Sequence, residues 1–284
     1  MKRFLFCLVL LTACKTTPAP EPQKLQVLTS FYPIEFFTEA VAGDRVEITN
    51  LTPAGMEPHD YEPSAAQFAK MEEADLILAQ GSGLEPWLKD ASETLSQAGV
   101  PLVELNGHEE KDPHTWLDPV LAMGMVETIH DALVELDPDG EAVYTANANE
   151  LLASLQTLDA DFKAGLSTCT LNTFISAHDA FNYLAKRYNL TADGVSGLSP
   201  EDEPSAQALS ALLEKIQGTG IEYIYFEERT NPRTAQVLVD EAGLTPLVLH
   251  TLEFLTQEEA NQGEDYFSLM RDNITQLKTG LQCQ

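Results

Sequence analysis

The sequence predicts an α/β protein with two lobes, each a mostly parallel sheet flanked by helices, joined by a long helical link. Three observations carry this. Short β-rich runs alternate with helical patterns from Leu25 to Leu105. No strand pattern occurs from Pro119 to Leu166. The alternation then resumes from Thr173 to the C-terminus. Strand–helix alternation is the pattern of a parallel sheet covered by helices, and 284 residues suit two domains of ordinary size.

In the first lobe, Leu25–Phe31, Val46–Leu51, Asp75–Gln80 and Pro101–Leu105 read as strands. Pro33–Val41, Ser64–Glu73 and Glu85–Ala98 read as helices between them. In the link, LAMGMVETIHDALVEL has apolar residues at helical spacing, and DPDGE interrupts it. Ala142–Leu166 then sets Leu151, Leu152, Leu155, Leu158 and Phe162 on one face. In the second lobe the strands are Thr173–Ala177, Ala192–Ser196, Ile221–Phe226 and Pro246–Leu252. Its helices are Asp179–Tyr188, Ser205–Gln217, Pro232–Ala242 and Asp265–Leu281. The division is thus a first lobe over 25–118, a helical link over 119–166 and a second lobe over 167–284.

The N-terminus bears on compartment. Met1-Lys2-Arg3 is a basic head, and Phe4–Ala13 is apolar apart from Thr12 and too short to span a bilayer. It reads as a secretory signal over residues 1–13. Leu11-Thr12-Ala13-Cys14 resembles a lipobox, with cleavage before Cys14 and lipidation of its thiol; an ordinary signal with an incidental cysteine is the alternative. KTTPAPEPQK, rich in Pro and Thr, reads as an extended tether over 14–24. The protein is expected outside the cytoplasm, in the periplasm or at the cell surface. Cys169 and Cys283 remain in the mature chain, and an even pair in an exported protein suggests one disulfide. Two free thiols are the alternative.

Asp and Glu number 45 against 16 Lys and Arg, a net charge of −29. Such a surface repels nucleic acid and attracts cations. In open α/β sheets, ligands bind beyond the carboxyl ends of strands. His59, in GMEPHDYEP, follows the second strand; His178 follows TFISA; Glu253 follows PLVLHTL. His114, in KDPHTWLDP, leads from the fourth strand into the link. Two of these belong to each lobe, so the natural site is the cleft between lobes. His59 taken singly could be an ordinary solvated side chain. Together, three imidazoles and one carboxylate make a tetrahedral zinc shell. Asp60, Asp118 and Asp179 lie near the three histidines in sequence, and at least one is expected to orient a ring through its second nitrogen. His108 and His130 read as surface positions. His250 is the alternative to Glu253.

These residues resemble the zinc- and manganese-specific substrate-binding lipoproteins of bacterial ABC importers. FYPIEFFTEAVAG, GMEPHDYEPSAAQ, HTWLDP, SAHDAFNYLAKRY, GLSPEDEPS, FEERTNP and EDYFSLMRDNI match the family's landmarks in order over nearly all of the mature chain. The resemblance implies two α/β lobes joined by a rigid helix, with the metal between them on His59, His114, His178 and an acid at Glu253. LHTLEFLT stands where relatives more often read NPLEGL. A glutamate there with three histidines looks more like the zinc branch than the manganese one. Cys169 and Cys283 fall where some relatives have a disulfide. The implied function is capture of Zn²⁺, with Mn²⁺ possible, for a permease in the cytoplasmic membrane, by a lipid-anchored monomer. An enzyme is not expected: there is no HExxH and no GxSxG. A zinc hydrolase and a metal-stabilised adhesin are the rival readings.

Overall fold

The computed structural model describes residues 24–106, 111–200, 202, 205–227 and 233–284. The signal 1–13, Cys14, the tether up to residue 23, His108 and Pro232 lie outside the described residues.

Two four-stranded parallel sheets form. The first contains β1 (Leu25–Thr29), β2 (Val46–Asn50), β3 (Leu76–Ala79) and β4 (Leu102–Glu104), in the order β2-β1-β3-β4. The second contains β5 (Thr173–Ser176), β6 (Thr191–Gly194), β7 (Tyr223–Phe226) and β8 (Thr245–Val248), in the order β6-β5-β7-β8. Each thus begins on an inner strand, adds one neighbour to an edge, then crosses to the other side. That crossover opens a crevice at the carboxyl ends of the strands.

Helices α1 (Tyr32–Ala42), α2 (Ala65–Met71) and α3 (Leu88–Ala98) belong to the first sheet. Ser64 caps α2 in a reciprocal box with Gln67, and Gly99 closes α3 in the left-handed conformation at φ 77°. Helices α4 (Pro119–Leu136) and α5 (Glu141–Gly165) form the link. Asp118 caps α4, with Pro119 at its first position. The second sheet carries α6 (Asn182–Arg187), α7 (Ala206–Ile216), α8 (Arg233–Ala242), α9 (Gln257–Gln262) and α10 (Tyr266–Gly280).

Several element ends shift by a few residues from the sequence reading, and one helix, α9, was not predicted. The helix expected from Asp179 begins only at Asn182, because Asp179 folds back onto the second sheet: its carboxylate accepts from Gly194 N at 2.8 Å, and its own N–H donates to the Gly197 carbonyl. The strand expected up to Leu252 ends at Val248. The short helix α9 was legible in Thr256-x-x-Glu259, which forms a capping box.

Alternation along the strands divides the core. Val27, Leu76 and Leu78 join one large cluster, while their neighbours Leu28, Ile77 and Ala79 join a smaller one on the other face. In the second sheet Phe174 and Tyr225 join the same large cluster, and Ile175, Ile224 and Phe226 a third. The two lobes therefore share one core. Its spine is α5, 25 residues and about 37 Å long, with Tyr144, Leu151, Leu155, Leu158 and Phe162 buried along one stripe. That stripe meets α1, α4 and α10. Helix α5 thus braces both lobes rather than merely connecting them. A disulfide joins Cys169, just beyond α5, to Cys283, just beyond α10.

Candidate metal centre

Each of the four sequence-predicted residues sits beyond the carboxyl end of a strand. His59 lies in a tight turn, Pro58–Asp60, after β2. Glu57 accepts from the His59 N–H at 3.2 Å, and Pro58 fixes the first turn position, so the loop is stiff where the imidazole leaves it. His114 lies in the loop between β4 and α4. Gln80, at the end of β3, donates to the Pro113 carbonyl and to Thr115 Oγ1 at 2.8 Å, and so holds that loop from within. Glu85 in turn accepts from the N–H groups of Gln80 and Gly81. His178 follows β5 by two residues, and Glu253 follows β8.

The structure brings the four together. Glu253 Oε1 lies 3.6 Å from His59 Nε2, 3.4 Å from His114 Nε2 and 3.5 Å from His178 Nε2. His59 Nε2 and His114 Nε2 are 3.3 Å apart. A tetrahedral ion with bonds of about 2.0–2.1 Å needs ligand–ligand edges of roughly 3.3–3.4 Å. Four of the six donor–donor edges stand at 3.3–3.6 Å, and all four donor atoms lie within 4.8 Å of one another. His114, His178 and Glu253 are buried, and the His59 side chain keeps 7% exposure. His178 Nε2 and Glu253 Oε1 are buried without a hydrogen-bond partner. Orphaned buried polar atoms are costly unless something else satisfies them, and one cation between them would. His250 is not of this group; its backbone N–H and carbonyl are both bonded to the Asn273 side chain on α10.

The ring-orienting acids are not those expected. His114 Nδ1 pairs with Asp112 at 2.8 Å, and His178 Nδ1 pairs with Glu227. Asp118 instead caps α4 and takes the Arg187 guanidinium at 2.8 and 3.0 Å. Asp179 is committed to Gly194, and Asp60 is exposed with no bond to the His59 ring. The reason is geometric. Parallel pairing sets Ser176 opposite Tyr225, so two residues further on His178 meets Glu227, directly after β7. Neighbours in sequence diverge at a strand end; neighbours in register converge. Glu227 was legible in FEE after a strand, had that register been known.

Electrostatics follow from burial and crowding. Burial alone would push the His178 imidazole down, but the carboxylates of Glu227 and Glu253 outweigh it and hold it well above 6.5. Burial likewise opposes ionisation of Glu253, yet the three imidazoles facing it hold its carboxyl well below 4.5. Glu57 is pushed up to about 9, by burial first and then by the charge of Glu253. The set thus joins three imidazoles to one ionised carboxylate, with Nε2 lone pairs directed inward when each ring carries its single proton on Nδ1. It could hold one divalent ion.

The family model for the zinc-uptake complex component A, a periplasmic protein, matches residues 27–280. The chain belongs to that family. It is 38% identical over 294 residues to the zinc-binding lipoprotein AdcA of Streptococcus pneumoniae, covering 96% of this chain but 58% of that one. The chain therefore spans little more than half the length of such relatives. It is 35% identical over 302 residues to the high-affinity zinc uptake system protein ZnuA of Bacillus subtilis, covering 97% of this chain and 95% of the relative. Among solved structures it is similar to the Zn(II)-bound ZnuA-like domain of Streptococcus pneumoniae AdcA, with TM-score 0.80 and 40% identity over 91% of this chain and 99% of that one. The family thus shares the two-lobed α/β fold described above.

Proposed function

We propose that this protein captures one Zn²⁺ outside the cytoplasmic membrane and delivers it to the permease of an ABC importer. His59, His114, His178 and Glu253 are the ligands in this reading. The observation that carries it is the convergence of three Nε2 atoms on one carboxylate oxygen at 3.4–3.6 Å, in a buried pocket drawn from both lobes. Nitrogen-rich, four-donor sites suit zinc better than manganese, which favours oxygen-rich octahedral shells. The zinc-binding names of the relatives support the same cargo. The family is one of uptake components, not enzymes. In keeping with that, Glu253 occupies the fourth position, where a hydrolytic zinc would hold its water.

Asp112 and Glu227 fix the rings of His114 and His178, so the donor set is ordered before the metal arrives. Release requires that the ligands of one lobe part from those of the other. Anchoring through Cys14, after cleavage of residues 1–13, would keep a monomeric carrier at the membrane beside its permease. The acidic surface would enrich cations around it.

The test is a titration of the metal-stripped protein with Zn²⁺ against a chromogenic chelator, with Mn²⁺ as competitor at pH 7.5. One zinc bound at nanomolar or tighter, roughly −12 kcal/mol, and not displaced by excess Mn²⁺, is the expected result. Loss of that binding in Glu253→Ala would assign the fourth ligand. Ready displacement by Mn²⁺ would overturn the zinc assignment.

A further inference from the structure

The two oxygens of Glu253 have different surroundings. Oε1 faces the three imidazoles. Oε2 accepts a hydrogen bond from Thr251 Oγ1 at 3.0 Å. Thr251 and Glu253 are 5% and 1% exposed, so this bond is shielded from water. An ionised carboxylate only accepts, so the hydroxyl must donate. Thr251 is itself held in place: its carbonyl accepts from the Trp116 indole N–H at 2.7 Å. Between the two residues, Leu252 adopts φ 56°, a left-handed conformation that a buried leucine takes only when its surroundings impose it. That turn presents Glu253 to the cluster while leaving Thr251 behind it.

We propose that Thr251 is a specificity-determining residue, whose hydroxyl holds Glu253 as a one-oxygen ligand and so favours four-coordinate Zn²⁺ over divalent cations that take five or six donors. The inference rests on the ligand assignment proposed above. Its physical basis is a competition for Oε2. A carboxylate can bind a metal through one oxygen or through both. With one oxygen, three imidazoles and Glu253 make four donors, the number zinc prefers. To give a fifth donor, Glu253 must rotate Oε2 toward the ion. That breaks its bond with Thr251 and leaves a buried hydroxyl without its acceptor. Losing a hydrogen bond to a charged group corresponds to roughly ten- to a hundredfold in affinity. The penalty falls on Mn²⁺, which favours a larger oxygen-rich shell, and not on Zn²⁺. Removing only the hydroxyl would leave Glu253 in place and free to chelate.

The experiment compares the purified protein with Thr251→Val, which keeps the shape and loses the hydroxyl, and Thr251→Ser, which keeps the hydroxyl. Zn²⁺ and Mn²⁺ affinities are measured by chelator competition, and coordination number is read from the visible absorption of the Co²⁺-loaded proteins. Intense bands of a four-coordinate ion are expected for the unmodified protein and for Thr251→Ser. For Thr251→Val, weaker bands of higher coordination and a Zn²⁺/Mn²⁺ affinity ratio reduced at least tenfold are expected. An unchanged ratio and spectrum in Thr251→Val would overturn the inference. So would equal weakening of both metals with the four-coordinate bands intact, which would make Thr251 merely structural. Should Thr251→Val not fold, Thr251→Ala replaces it. Five- or six-coordinate bands in the unmodified protein would overturn the inference without any variant. A protein that binds neither Zn²⁺ nor Co²⁺ tightly would instead sink the ligand assignment.

Discussion

The Trp116 indole N–H donates to the Thr251 carbonyl at 2.7 Å, across 135 residues of sequence and across the seam between lobes. Trp116 stands two residues after His114, and Thr251 two before Glu253. One bond therefore ties the His114 loop of the first lobe to the Glu253 loop of the second. The Tyr266 hydroxyl, donating to the Trp116 carbonyl at 2.6 Å, anchors the same turn from α10. Trp116 is fully buried against Phe31, so its ring cannot swing to find water. In Trp116→Phe a smaller aromatic ring replaces the indole and the Thr251 carbonyl loses its donor, at about 1–3 kcal/mol. Zinc affinity should fall by roughly tenfold, with faster release, while the fold persists. Stopped-flow transfer of zinc to a chelator measures this; an unchanged release rate would show that the bond does not hold the lobes shut.

Glu227 and Asp112 make a second prediction, because they orient rings without belonging to the donor set. Glu227→Gln removes the charge that holds His178 Nδ1, and loss of such a partner typically costs about 10–100-fold in metal affinity. Asp179→Asn should leave affinity nearly unchanged, because Asp179 serves Gly194 rather than the ring. Asp118→Asn should lower thermal stability more than zinc affinity, because Asp118 caps α4 and pairs with Arg187. Chelator competition and thermal melts on the three variants separate these roles.

Proton competition gives the third. The His178 imidazole is raised well above 6.5 in the metal-free protein, so it contributes stability that is complete below 6.5 and lost as pH rises through its folded value. Zinc must displace that proton. Apparent affinity should therefore fall by up to about tenfold per pH unit below the folded value, as zinc must displace that one proton. Titrations from pH 8 to 5.5 read this directly. A flat profile would exclude a three-histidine site. In the same series, Glu227→Gln should make the upper part of the profile shallower, since it removes one of the charges that hold the His178 proton.

The fourth prediction concerns the Cys169–Cys283 disulfide. It closes a loop with a sequence separation of 114 and ties the end of α5 to the end of α10. In the chain-entropy model such a loop is worth roughly 4–5 kcal/mol. Cys169→Ser with Cys283→Ser should lower the denaturation midpoint substantially while leaving the zinc stoichiometry at one, because neither cysteine touches the ligand loops. Urea melts with and without zinc test both halves of that statement.

Much of this protein was determined by local pattern alone. Strand–helix alternation marked the two lobes, because period-two and period-3.6 burial leave different traces in a sequence. The apolar stripe from Leu151 to Phe162 marked the long helix. His59, His114, His178 and Glu253 could be named because each follows a recognisable strand, or leads from one into the link, and such positions are where parallel sheets bind ligands. The tertiary structure alone decided who supports them. Asp118 and Asp179 are near their histidines in sequence but are spent on a helix cap and on a neighbouring strand. Asp112 and Glu227 hold the rings instead, the latter because register, not sequence distance, sets who meets whom at a sheet edge. The contact between Trp116 and Thr251, and through it the aim of Glu253, depends on how the lobes close over a shared core. A sequence does not display that arrangement, because it arises from long-range packing rather than from the preferences of adjacent residues.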